Sequence, residues 1–212
     1  MAHRPFADDL FVQTAAFDRG LPPGCALHVA HECGENIKPI THVFHGSTQK
    51  ENAIKRALAV TGMTATVVSD PADTASALLM EGSIVGWFQG RSEFGPRALR
   101  YRSILVNSGS AHMKDEINVR VKYWEKFRPF APYVLEKRAC QIFDMIKPSL
   151  YMTVTFNFRD GWGEKLSATT HINNTARVQT VNADVDSLYH TLISGFEKLS
   201  GLSVVFNTSV NI

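Results

Sequence analysis

Residues 83–106 read SIVGWFQGRSEFGPRALRYRSILV, and the fold prediction starts from this stretch. The apolar run at its start and the RSILV at its end are each of strand length. Between them, two glycines and Pro96 demand particular backbone shapes. The G-x-x-x-x-G spacing imitates a P-loop but continues with Pro-Arg instead of Lys-Ser/Thr. The stretch therefore predicts two strands joined by a turn that projects Arg91 and Arg97, residues suited to capturing phosphate or carboxylate oxygens.

Helix and strand patterns alternate along the rest of the chain. Predicted helices cover about 23–33, 48–60, 71–80, 113–122 and 185–199, and predicted strands cover 10–13, 63–68, 83–89, 102–106, 151–158, 175–181 and 203–206. Residues 34–47 show no clear period and are interpreted as a linker. This mixture predicts an α/β (α+β) fold, a sheet with covering helices.

Length and composition exclude several classes of protein. The chain has 212 residues, 44% of them hydrophobic, and a net charge of +2, which argues against disorder and suits one large domain or two small ones. Its most apolar windows are only strand-sized, so we expect no membrane span. Three scattered cysteines do not suggest a disulfide framework and favour the reducing cytoplasm.

Positive charge is concentrated in residues 91–128. This stretch carries nine Lys and Arg against four Asp and Glu, a local excess of five positive charges. A solvated basic face would explain charge density alone, but the framing glycines and prolines favour a site for an anion: phosphate, nucleotide or nucleic acid. The aromatic residues Phe127 and Phe130 could stack an adenine, although core packing is their favoured role.

Polar and basic residues recur at three later points. Lys122 ends a predicted helix, where the helix dipole favours a cation, and the following FRPFAP includes Arg128. Arg177 lies in a predicted strand between Ala and Val, a costly place for a cation that lacks a fixed anionic partner. Asn207 and Ser209 follow the last strand, at an end where sheets often bind ligands. Each of these could alone be an ordinary turn.

Metal-ligating residue types are present, but their spacing is unconvincing. Cys25, His28, His31 and Cys33 lie within nine residues. A helix would spread the two cysteines over different faces, and there is no C-x-x-C pair, so zinc is disfavoured. Asp18 offers a hard oxygen ligand, but one carboxylate is not a site.

Taken together, the motifs resemble the O-carbamoyltransferase family typified by the nodulation proteins NodU and NolO and by antibiotic-tailoring carbamoyltransferases. The motifs are GWFQGRSEFGPRAL with RSILV, MKDEIN-x-RVK with FRPFAP, THINNTARVQTV and FNTSVN, in the family order over residues 83–211. The resemblance to the nodulation branch is strongest. It implies a YrdC-like twisted mixed sheet with covering helices, plus a short remnant of an actin-like ATPase-type domain.

The resemblance also implies a reaction. A carboxyl-terminal YrdC-like domain uses carbamoyl phosphate and ATP to make carbamoyl-adenylate, and an amino-terminal metal-containing domain passes the carbamoyl group to an acceptor hydroxyl. The family's phosphate-binding positions, expected to be catalytic here, correspond to Arg97, Lys122, Arg128 and Arg177. Ser209 is expected to bind the same ligands, with Asn207 assisting.

By the same resemblance, residues 1–34 are the tail of the amino-terminal domain, 35–47 a linker and 48–212 the YrdC-like domain. Asp18 corresponds to a metal-binding aspartate of the amino-terminal domain, which would hold iron or another divalent metal in the full-length protein. The family's paired histidine ligands have no match here. We therefore expect a piece of a longer enzyme, whose partners are ATP, carbamoyl phosphate, the missing domain and an acceptor sugar hydroxyl.

Several residues depart from the family pattern. Arg100 and Tyr101 stand where Gly and Asn are usual, and Phe17 replaces a glycine. Asn173 and Asn174 replace Asp-Gly, which removes a carboxylate suited to a metal or a base role. None of these changes removes an expected phosphate ligand.

One alternative function belongs to a different class. An RNA-binding or nucleotide-binding YrdC-like module without catalysis would also be basic in residues 91–128. The cations instead converge on turns framed by Gly and Pro, and the net charge is nearly neutral, which disfavours a nucleic-acid partner. A homodimer is left open. The expected acceptor is a lipo-chitooligosaccharide nodulation factor.

Overall fold

A five-stranded mixed sheet lies at the centre of the computed structural model, which describes residues 11–125, 128 and 130–210. The strands in chain order are β1 (Val85–Phe88), β2 (Arg102–Asn107), β3 (Ala131–Leu135), β4 (Phe156–Asn157), β5 (Thr175–Ala176), β6 (Gln179–Val181) and β7 (Val204–Ser209). The large sheet has the order β1-β2-β7-β3-β6, antiparallel except for the parallel β3–β6 pair. Strands β4 and β5 form a separate antiparallel pair.

Helices cover both faces of the sheet. They are α1 (Leu21–Glu32), α2 (Glu51–Thr61), α3 (Pro71–Met80), α4 (Ala111–Ile117), α5 (Glu136–Ile142), α6 (Trp162–Lys165) and α7 (Ser187–Ser200). Successive β7 residues point to opposite faces, as strand geometry requires: Val205 packs in the core beneath α3 and α7, and Phe206 in the core beneath α4. The predicted fold class, an α/β mixed sheet with covering helices, is confirmed.

Some predicted strands are wrong, because a strand needs a neighbour that completes its hydrogen-bond ladder. Residues 63–68 form no ladder and are exposed, with Val67 98% accessible. The strand predicted over 151–158 is reduced to its two residues in β4, and residues 11–13 form none; Leu10 lies outside the described residues. Strand β3 and helix α5 were not predicted.

The segment predicted as a linker packs against the sheet. Val43 and Phe44 are buried in the core cluster beneath α3 and α7, and the Phe44 ring lies 3.9 Å from the ring of Tyr101. Helices α1 and α2, by contrast, bury no residue. The domain boundaries at 34/35 and 47/48 stay predictions. Among the described residues, no helix has both the length and the apolar character needed to cross a membrane.

Candidate active site

The turn between β1 and β2, residues 90–101, is here named the arginine loop. Its glycines are required by geometry: Gly90 has φ +55° and a Cβ there would lie 2.7 Å from Tyr101, while Gly95 has φ +119°. Both conformations disfavour a side chain. The loop carries Arg97, whose side chain is exposed, and presents the Ala98 carbonyl to the sheet.

A cleft of about 70 Å³ opens where the arginine loop meets the end of β7. Its lining includes Arg97, Ala98, Trp124, Arg177, Asn207 and Ser209. A water molecule needs about 10–15 Å³, so a volume of about 70 Å³ is enough for a small phosphorylated group. The structure thus brings together four residues proposed from the sequence, Arg97, Arg177, Asn207 and Ser209, from three separate segments of the chain.

Arg177 reaches the cleft because its strand is interrupted. The sequence predicts a continuous strand over 175–181, but the chain leaves the small sheet after Ala176 and enters the large sheet at Gln179. Arg177 lies in this break, half-buried, and its Nε has no hydrogen-bond partner in the described part of the chain. Burial and then the nearby Arg97 lower the pKa of Arg177 to about 10, so it stays a cation at neutral pH.

The end of β7 supplies neutral polar groups to the same cleft. Asn207 is 3% exposed, and its Nδ2 donates to the Ala98 carbonyl oxygen over 3.2 Å. Its Oδ1 is buried and has no partner among the described residues. Ser209 lies two residues further along the strand, half-buried, with its Oγ 3.2 Å from Lys122 Nζ.

Lys122 adjoins the cleft through Ser209. Helix α4 continues as a π-helical turn, Asn118–Lys122, and ends where Tyr123 takes a left-handed φ of +53°. The Lys122 ammonium donates to the Ser209 carbonyl at 2.5 Å and lies 5.1 Å from the centre of the Trp124 ring. Burial lowers the pKa of Lys122. Turns of this π type often occur at functional sites, and this one brings the ammonium to the end of β7.

Arg128 lies at the rim, outside the cleft lining. It pairs with Glu125 at 2.8 Å and stacks over the Trp124 ring at 5.2 Å.

Phe130, two residues after Arg128, packs in the core. It is 2% exposed and contacts Phe206, with ring centres 4.5 Å apart. Core packing is therefore confirmed for Phe130. Its companion in the prediction, Phe127, lies outside the described residues.

Two departures from the family pattern occur at left-handed backbone positions. Arg100 has φ +97° and is 2% exposed, in a conformation that favours the glycine usual there. Its guanidinium lies over the Phe44 ring at 5.4 Å and 3.9 Å from Asp186. Asn174 has φ +56°, which asparagine tolerates better than most residues. Asn173 Oδ1 accepts from Thr175 Oγ at 2.8 Å, a contact that an aspartate would also make.

Sequence reasoning missed Glu93. It is the one acid between Arg91 and Arg102, and its buried carboxylate accepts from backbone N–H groups of the arginine loop. That isolation within a basic segment was the available signal, because a buried acid usually has a fixed set of donors.

The described residues do not form a metal site by themselves. Among residues 11–125, 128 and 130–210, no three His, Cys, Asp or Glu side chains gather closely enough to hold an ion. Asp18 is exposed in a short 3₁₀ turn, Asp18–Gly20, and Cys25 and Cys33 are exposed, unbonded thiols. One carboxylate does not fit the donor set of a metal centre. A metal role for Asp18 would need ligands from elsewhere.

Comparison with known proteins decides the family. The family model described as "Carbamoyltransferase C-terminus" matches residues 76–212, well over half of the chain. The chain belongs to this family. The match covers the arginine loop, Lys122, Arg177 and the end of β7, so the cleft lies wholly within the family's own part of the chain.

Named relatives extend the similarity towards the amino terminus. The nodulation protein NolNO of Sinorhizobium fredii is 37% identical over 96% of this chain, and NolO of Bradyrhizobium diazoefficiens is 39% identical over 96%. Nodulation protein U of Azorhizobium caulinodans is 40% identical over 64% of the chain. The chain spans 31%, 39% and 24% of the lengths of these relatives.

Proposed function

We propose that this chain is the part of an O-carbamoyltransferase that binds carbamoyl phosphate and ATP and forms carbamoyl-adenylate. One observation carries the proposal: Arg177, whose buried Nε lacks a partner in the described residues, lies beside Arg97 in a small cleft. Two neighbouring cations repel each other, and phosphate oxygens between them would turn that repulsion into charge-assisted hydrogen bonds. Because the chain belongs to the carbamoyltransferase family, we propose that the group attached to this phosphate is a carbamoyl group.

The stoichiometry shows what the cations must do. Water hydrolyses carbamoyl phosphate to carbamate and phosphate; a carbamate oxygen then bonds to the α-phosphorus of ATP, and pyrophosphate leaves. Both steps move negative charge among phosphoryl oxygens, which fixed cations stabilise without forming covalent bonds. Arg97 and Arg177 in the cleft would hold the phosphate of carbamoyl phosphate, and Lys122, beside Ser209, would assist them. Arg128, at the rim, would meet the outer phosphates of ATP.

Asn207 supports the carbamoyl group in particular. Its Nδ2 is held by the Ala98 carbonyl, and the reverse amide orientation would set two carbonyl oxygens against each other. The buried, unpartnered Oδ1 therefore needs an outside donor, since such an acceptor costs about 1–3 kcal/mol when unmet. The carbamoyl NH₂ is a donor of suitable size. Acetyl phosphate has a methyl group in place of this NH₂ and cannot donate a hydrogen bond there.

Calorimetry with inorganic phosphate, carbamoyl phosphate and acetyl phosphate tests the proposal. We expect carbamoyl phosphate to bind about tenfold more tightly than acetyl phosphate, the worth of one hydrogen bond. Arg177→Met should weaken all three ligands, whereas Asn207→Leu should remove only the preference for the carbamoyl group. Absence of binding by any of the three would refute the assignment of the cleft; equal binding of the two acyl phosphates would refute the role of Asn207.

The adenylation step has its own assay. Carbamate-dependent exchange of labelled pyrophosphate into ATP should be catalysed by the wild-type chain and lost in Lys122→Met. Exchange that does not depend on carbamate or carbamoyl phosphate would point to another acyl group.

The acceptor is proposed to be a sugar hydroxyl, on a lipo-chitooligosaccharide nodulation factor. The names of the nodulation relatives support this choice, as does their similarity over nearly the whole chain. Transfer to the acceptor belongs to the whole enzyme. Its assay therefore uses the full-length protein with a chitooligosaccharide, where a carbamoylated sugar is the expected product and an unmodified one would refute the acceptor.

A further inference from the structure

Glu93, near the start of the arginine loop, accepts four hydrogen bonds that all come from residues 99–102. Its side chain is fully buried, and Oε1 accepts from the N–H groups of Leu99 and Tyr101 at 2.8 Å and of Arg102 at 3.2 Å. Oε2 pairs with Arg102 Nε at 2.8 Å. We call residues 90–94 the first arm and residues 98–102, which run into the first residue of β2, the second arm; Glu93 lies on the first arm and all four donors lie on the second. The carboxylate therefore ties the two arms together across the tip that carries Arg97.

The two arms are held by different contacts. Residues 43–46 bind the first arm: Phe94 N–H donates to the Val43 carbonyl at 2.7 Å and Gly46 N–H to the Ser92 carbonyl at 2.9 Å. The second arm is held at Ala98, whose carbonyl accepts from Tyr133 Oη at 2.6 Å and from Asn207. Only Glu93, among the described contacts within the loop, joins one arm to the other through a side chain.

Arg97 depends on this closure because it has no local partner. Within the described part of the chain, its exposed guanidinium has no hydrogen-bond or ion-pair partner, so its position depends on the backbone of the loop tip. A cation placed within a cleft contributes to phosphate binding only if its geometry is fixed beforehand. A loosened loop would leave Arg97 charged but spread over many positions.

We propose that Glu93 is a positioning residue: it binds no ligand and orders the arginine loop so that Arg97 meets the phosphate beside Arg177. This inference rests on the proposed phosphate site. If Glu93 had a purely structural role, its loss would lower stability and would affect phosphate affinity independently of Arg97.

A double-mutant cycle separates the two roles. The probes are inorganic phosphate and carbamoyl phosphate, measured by calorimetry at constant ionic strength on the wild type, Glu93→Ala, Arg97→Ala and the double variant. We expect each single change to weaken binding about tenfold or more, and the double variant to bind no more weakly than Arg97→Ala. Losses that multiply in the double variant, or wild-type affinity in Glu93→Ala, would overturn the inference.

Two further variants keep the test informative if Glu93→Ala does not fold. Glu93→Gln keeps an oxygen for the three N–H groups and is expected to retain affinity within about threefold of the wild type, whereas Glu93→Asp, one methylene shorter, should lose affinity despite keeping its charge. The matched control is Arg138→Met, which removes a similarly exposed arginine from its ion pair with Glu197 on α7 and should bind phosphate like the wild type. Equal affinity in Asp and Gln variants would overturn the role of the backbone contacts. Failure of the wild type to bind either probe would instead refute the phosphate site itself.

Discussion

Replacing Tyr133 by Phe measures how firmly the arginine loop is held on the sheet. Tyr133 is fully buried on β3, and its hydroxyl donates to the Ala98 carbonyl at 2.6 Å. That carbonyl keeps a second donor, Asn207 Nδ2 at 3.2 Å, so the substitution leaves it partly satisfied. The expected loss is therefore the net value of one hydrogen bond, about 1 kcal/mol of unfolding free energy, and not the larger cost of an orphaned carbonyl.

The chain contains a matched control for this change. Tyr189 on α7 is also fully buried, and its ring centre lies 5.2 Å from that of Tyr133 in an edge-to-face arrangement. Its hydroxyl has no hydrogen-bond partner among the described residues. Tyr189→Phe removes a buried, unsatisfied polar atom, so the unfolding free energy should stay unchanged or rise by up to about 1 kcal/mol.

Urea and thermal unfolding of both variants give the comparison. For a chain of this size, about 1 kcal/mol corresponds to a Tm shift of about 2–4 °C. We expect Tyr133→Phe to melt lower by that amount and Tyr189→Phe to melt at or above the wild-type Tm. Equal losses, or a larger loss in Tyr189→Phe, would refute the assignment of the Ala98 contact as the difference between the two tyrosines.

Two further predictions concern acid stability and loop packing. Burial, followed by the nearby Arg177, lowers the pKa of His171 below its ordinary 6.5, so the folded chain favours the neutral imidazole. The unfolded chain then binds more protons, and the stability present above pH 6.5 is lost as the pH falls through the folded-state pKa. In urea unfolding from pH 5 to 7.5, the free energy of unfolding should fall less steeply with decreasing pH in His171→Gln than in the wild type. Parallel curves would contradict this. A Cβ on Gly46 would lie 2.8 Å from the carbonyl oxygen of Ser92, so Gly46→Ala should cost about 1–3 kcal/mol, whereas Gly86→Ala meets nothing within 4 Å and should be neutral. Equal Tm values for the two alanine variants would show that the arginine loop yields to the extra methyl group.

The strands of the site could be predicted because each contains enough strand-forming residues to be recognised from its own sequence. The strand predicted over 102–106 becomes β2, and the predicted last strand becomes β7, which extends to Ser209. The run at 63–68 has a similar composition but finds no partner and stays exposed. Hydrophobic pattern records which residues suit a strand, whereas a ladder needs a second chain segment at the right distance.

The residues that order the site were harder to predict than those that face a ligand. Arg97 and Arg177 stand out as cations in motifs that apolar or turn residues surround. Glu93 gives only a weak signal, its isolation among basic residues, since an acid in a basic stretch looks like a surface counter-charge until its side chain is seen to be buried. Arg100 was flagged as a departure from the family pattern, but only the backbone shows why glycine is usual there: the position has φ +97°.

By itself, the sequence determined the α/β class, the central helix and strand segments around the site, and a family resemblance that the comparison then confirmed. Those properties depend on residue types at short spacing, where backbone preference and periodicity act. The tertiary structure decided that Arg177 leaves its strand to lie beside Arg97 and that Lys122 reaches Ser209. These positions depend on contacts between segments tens of residues apart, whose distances and burial no local pattern encodes.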